Sequence, residues 1–235
     1  PLPTFLAGGG CRARARYDPS GAPQPFDLLL GAVVACAAAA FALIGVYLFP
    51  LVHRAFHALR HPLLFTALGG VVLGLLGAIG GPITLFKGLD QSEQLLADPS
   101  AYPPGQLTVI LLVKLAALVV AASAGFRGGR IFPAVFLGVA AGLLGAALLP
   151  ALPMSLAVAC GILGVVLAIA RDGWVALFVA VALVDDITVL PMLCIIVLPA
   201  WLIVTKAREM LITPDDLAKE RPEVPLPWAR ATSAR

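Results

Sequence analysis

Ser123-Ala124-Gly125-Phe126-Arg127-Gly128-Gly129-Arg130-Ile131-Phe132-Pro133 is a glycine-rich loop between two long apolar runs, and it ends in a proline suited to the first turn of a helix. The first N–H groups of a helix have no partner within it, and that end carries partial positive charge. The amides around Arg130, Ile131 and Phe132 are therefore able to face an anion without any formal charge at the site. The preceding glycines permit close approach. The same residues equally suit a tight turn between two packed helices. Both readings put a helix end before the loop and a helix start after it.

The flanking runs set the class of protein. Hydrophobic residues make up 60% of the chain and charged residues 12%, and the mean hydropathy is +0.99, outside the range of soluble domains. The formal charge of +3 is spread over short connections. It forms no dense basic face for a phosphate backbone, which argues against nucleic acid as a partner. Residues 28–52, 62–80, 106–124, 131–149, 154–170 and 187–205 are apolar runs of the roughly 20-residue length that matches a hydrocarbon layer, or close to it. The sequence predicts an all-α, polytopic transmembrane helix bundle with short and re-entrant helices. Residues 173–184 are too short to cross alone. Residues 81–105, with Gly81-Pro82, Gly88, Pro99 and Pro103-Pro104, read as a broken connection with one short helix at 88–98. Irregular backbone at membrane depth is tolerated where protein or water covers it, which points to a transport protein.

Residues 1–26 read as an N-terminal loop, 27–205 as the membrane domain and 206–235 as a polar tail whose six basic and five acidic side chains nearly cancel. The start at Pro1, with no charged segment leading to an apolar core, gives the expectation of a piece of a longer protein. Cys11, Cys36, Cys160 and Cys194 are far apart with no CxxC spacing, and the last three read as small buried hydrophobes. His53 and His57 stand four apart but lack a HExxH pattern or a third ligand, and with Arg54, Arg60 and His61 they read as a basic membrane-edge turn; neither a metal nor a cofactor is expected. Arg171-Asp172 and Asp185-Asp186 read as turns at span ends, the alternatives being a vestibule gate and a proton relay. Trp174, Trp201, Tyr47 and Tyr102 lie near segment ends, as interfacial anchors do. Lys114 differs: an ammonium within an apolar span faces protein or a water path, or else snorkels.

Gly129-Arg130-Ile131-Phe132-Pro133 resembles the GxFxP anion-binding motif in the second half of CLC chloride channels and transporters. In register, Ile131 stands where the family usually has phenylalanine, and Phe132 follows it. Lys114, fifteen residues before Gly129, is where CLC sequences often carry a basic residue. The resemblance runs from about Phe26 to Thr205 and includes Leu190-Pro191-Met192. Gly125 to Val135, Arg171-Asp172-Gly173-Trp174 and Leu198-Pro199-Ala200-Trp201 are most similar to a branch of bacterial CLC-type ion-transport proteins.

That resemblance implies one inverted repeat of a CLC-like fold, with the first repeat in a missing N-terminal half. It implies a homodimer built through residues 173–205, in a bacterial inner membrane. It also implies an inorganic anion, chloride-like, held by main-chain N–H groups at Gly129, Arg130, Ile131 and Phe132, with Lys114 a pathway-facing candidate. The family's GxEGP gating motif does not occur here, and no tyrosine follows Tyr102 to match its inner-site tyrosine. A non-transporting scaffold or an intramembrane enzyme is the other class of reading. The enzyme finds no GxSxG, HExxH or GxGD pattern.

Overall fold

The computed structural model describes residues 25–58, 62–84, 88–126 and 128–209. Most of the expected N-terminal loop and polar tail, together with Cys11, Arg60, His61 and Arg127, lie outside those residues. Eight α-helices run in order: α1 (Pro25–His57), α2 (Pro62–Gly80), α3 (Leu89–Ala97), α4 (Pro104–Ser123), α5 (Ile131–Leu148), α6 (Met154–Ala170), α7 (Gly173–Val184) and α8 (Leu190–Thr205). No strand occurs among the described residues. Helix α1 starts at Pro25, inside the segment assigned to the loop, because proline is well suited to a first turn. Five segments are long and apolar enough to cross a membrane: α1, α2, α4, α5 and residues 187–205. The chain is an all-α polytopic membrane bundle.

Helix α6 is the centre of that bundle. Every residue from Ser155 to Ile169 is buried, with α5, α1, α7 and α8 packed around it. At 17 residues it is about 25 Å long. Its sheath closes by direct backbone contact. A β-carbon on Gly161 would meet the Gly138 carbonyl oxygen and lie 2.6 Å from the Gly142 nitrogen. On the other side, a β-carbon on Gly164 would meet the Ala35 carbonyl of α1. In a bundle where lipid tails are as apolar as leucine, such close packing of small residues supplies much of the association.

Helix α2 is the opposite case. Only 6% of its span is buried, and Leu63, Val71, Leu75 and Ile79 point outward. It rests on α4, where Gly69 leaves room for Ala124. The expected broken connection is present: a 3-10 turn at Pro82–Thr84, helix α3 and a second 3-10 turn at Pro99–Ala101. Helix α3 seats the buried Ser92 and Leu95 and packs against α5.

The two charged pairs at span ends make turns. Arg171 ends α6 in the left-handed region (φ 59°), and its Nη2 donates to the Ala207 and Arg208 carbonyls beyond α8. Asp172 accepts from the Trp174 and Val175 amides at 3.0 and 3.1 Å and so caps α7. Asp185 ends α7 (φ 54°), and Asp186 accepts from the Thr188 amide and hydroxyl. The cysteines divide: Cys160 is buried, Cys36 half-buried and Cys194 exposed. The reading of Cys194 as buried is therefore corrected; on a membrane helix an outward face is as apolar as an inward one.

Gly161→Ala puts a methyl into backbone, and a loss on the order of 1–3 kcal/mol is expected, read as a lower thermal midpoint of the detergent-solubilised protein. Gly74→Ala, where nothing lies within 4 Å of the new carbon, should leave the midpoint unchanged. Removing the α7 cap with Asp172→Ala should cost about 1 kcal/mol in the same assay.

Candidate functional site

The loop before α5 begins with a defined stop. Gly125 follows the end of α4 in the left-handed region (φ 75°), and the Phe126 amide reaches back to the Ala121 carbonyl at 3.1 Å. This is a Schellman closure, and glycine occupies the position that excludes most side chains. The chain then crosses Gly128 and Gly129 and turns into α5 at Ile131.

The start of α5 has the chemistry of an open helix end. The first bond into the helix is from the Ala134 amide to the Arg130 carbonyl at 3.2 Å. The amides of Ile131 and Phe132 precede it and have no carbonyl within the helix to pair with. Pro133 has no amide hydrogen to place there. The N-cap residue, Arg130, makes no capping hydrogen bond with its side chain. Gly128, Gly129, Arg130, Ile131 and Phe132 are exposed, whereas every residue from Ala134 to Ala140 is buried. The tip thus protrudes from a fixed helix body, with its partial positive charge outward.

Lys114 lies behind the tip. It is 4% exposed, and its Nζ donates to the Thr84 carbonyl at 2.8 Å. The same nitrogen stands 4.9 Å from the centre of the Phe136 ring, within cation–π range. Lys114, Thr84 and Pro133 line a common cavity of about 230 Å³ whose other walls come from α2 and α4. The structure therefore brings Lys114 and the first turn of α5 to one cavity. Thr84 was not singled out in the sequence. Its part is played by a backbone carbonyl, which every residue has, so only the break at Gly81-Pro82 marks the place.

The histidine pair sits at the end of α1. His57 Nδ1 is 3.0 Å from the His53 carbonyl and serves as its donor. The two rings lie 3.8 Å apart and continue a row from Phe49 to Phe65. With Arg54, they put basic groups at a helix C-terminus, where its dipole favours them.

Comparison with known proteins agrees with this architecture. The sequence profile of the family described as "Voltage gated chloride channel" matches residues 7–205. Two relatives named "Putative ion-transport protein YfeO", from Escherichia coli O9:H4 (strain HS) and Escherichia coli (strain K12 / DH10B), are 47% identical over 192 residues, 82% of this chain. A third of that name, from Escherichia coli O1:K1 / APEC, is 46% identical over the same length. The chain spans about half the length of these relatives, the match covering 46% of each. An integral membrane bundle, a glycine-led helix start and a family match over most of the chain lead to one conclusion: the chain belongs to the voltage-gated chloride channel (CLC) family of ion-transport proteins.

Proposed function

We propose that the full-length protein moves inorganic anions, chloride-like, across a bacterial inner membrane, and that this chain supplies one wall of the path. The anion is held at the start of α5 by main-chain N–H groups of Gly129, Arg130, Ile131 and Phe132. The observation that carries this reading is the exposed, glycine-led start of α5, whose first amides precede the first bond into the helix. Within a bilayer an unpaired amide costs several kcal/mol, so such an end needs a partner, and an anion meets both its hydrogen bonds and its dipole.

The tip is open on the side away from its own bundle, and the N-terminal half of the protein closes the path there. Ile131 and Phe132, each nearly half exposed, shape the opening. The outward apolar residues of α7 and α8, among them Trp174, Phe178, Leu198 and Leu202, form the face on which a second copy packs to make the homodimer.

The test is chloride flux from liposomes containing the full-length protein. A β-carbon at Gly129 meets nothing within 4 Å in this chain, so Gly129→Val adds bulk to the open space before the tip. Flux is expected to fall about tenfold or more, with membrane insertion unchanged; undiminished flux would overturn the assignment of the tip. Ile131→Phe should alter the chloride-to-nitrate selectivity ratio, measured in the same liposomes, with little effect on thermal stability.

A further inference from the structure

Phe136 is the buried anchor of the α5 tip. It lies one helical turn beyond Phe132 on the same face, and it is fully buried while Phe132 is 48% exposed. Two groups from other parts of the chain close on it. Lys114 of α4 places its ammonium 4.9 Å from the ring centre. Gly88 brings bare backbone to the root of the side chain: a β-carbon there would be 2.8 Å from Phe136 Cβ and 3.6 Å from the Phe132 carbonyl oxygen.

Both groups are themselves held. Lys114 is oriented by its 2.8 Å bond to the Thr84 carbonyl. Thr84 is in turn closed by its hydroxyl on the Gly81 carbonyl, also at 2.8 Å. Gly88 adopts φ 95°, a conformation open to glycine at little cost. Its amide donates to Gln91 Oε1 at 3.1 Å, and its carbonyl accepts from the Ser92 hydroxyl at 2.6 Å. Ser92 is fully buried on α3, the helix that packs against α5.

The geometry points to Lys114 as a positioning residue for the α5 tip. It acts through the Phe136 ring, with the Gly88 backbone as a second stop at the Phe136 Cβ, and does not itself contact the anion. A tip whose amides must aim at one point loses affinity when its first turn can shift, so the side chains that fix Phe136 set how well the tip holds its ligand. A lone ammonium on a four-carbon stem would be a poor constraint. The Thr84 carbonyl and the aromatic face fix it from two directions. This role rests on the reading of the tip as the anion site, and it gives Lys114 a part in that site at one remove.

Two measurements on the full-length protein test it. In chloride-flux assays, Lys114→Met and Phe136→Leu should each raise the half-saturating chloride concentration about fivefold, and the double variant should show no further rise, because both break one link. Lys114→Arg, which keeps a cation and a donor, should recover most of the loss. Gly88→Ala, whose new carbon would press on the Phe136 Cβ, should give a similar rise. Independent, multiplying effects of Lys114→Met and Phe136→Leu would overturn the proposal in favour of direct attraction between ammonium and anion.

The second measurement needs no transport. Hydrogen exchange in peptides covering residues 133–140 should speed up about tenfold in Lys114→Met and in Gly88→Ala, with α6 unchanged. Unaltered exchange there would overturn the positioning role even if flux changed. Absence of chloride flux in the unsubstituted protein would instead sink the transport reading, and the exchange measurement would still decide whether Lys114 fixes the tip.

Discussion

Backbone-to-backbone contact between α5 and α6 is the constraint on which the rest of the bundle depends. Gly138 and Gly142 face Gly161 so closely that no β-carbon fits between the helices. Gly164 repeats the arrangement against Ala35 of α1. These approaches let α6 disappear inside a ring of α1, α5, α7 and α8. In lipid there is little hydrophobic gain in joining two apolar helices, so closeness of packing decides which helices associate.

That packing fixes the body of α5 and leaves its first turn outside it. Burial begins at Ala134, and Gly128 to Phe132 before it are exposed, with Pro133 half-buried between. A helix that is rigid from its second turn onward but open at its start is a means of holding a few peptide dipoles in a set direction. The connection from α2 to α3 and the middle of α4 add support from behind, through Gly88, Phe136 and Lys114. Lys114 is thereby a structural neighbour of the tip although it belongs to a different span.

Much of the bundle was legible because membrane helices announce their ends. Charge-free runs, Pro104, Pro133, Gly125 and the short break at Gly81-Pro82 all mark boundaries that the structure keeps. The short helix expected at 88–98 occurs at Leu89–Ala97. The candidate anion residues from Gly129 to Phe132 fall together at the start of α5. Inward and outward faces were not legible. Helices α2 and α6 read alike in hydropathy, yet one is almost wholly outside and the other buried from Ser155 to Ile169. Cys160 and Cys194 likewise sit in similar apolar runs and end in opposite environments.

What this sequence settled by itself was the order and approximate limits of its helices and the presence of a glycine-led start. Those are local matters, governed by charge, by proline and by the left-handed freedom of glycine. What the tertiary structure alone decided was which helix lies at the centre and what Lys114 meets. Lipid and protein interior accept the same apolar side chains, so hydropathy does not tell them apart. Lys114 meets a backbone carbonyl 30 residues away and an aromatic ring on another helix. Only packing brings such groups within reach of one ammonium.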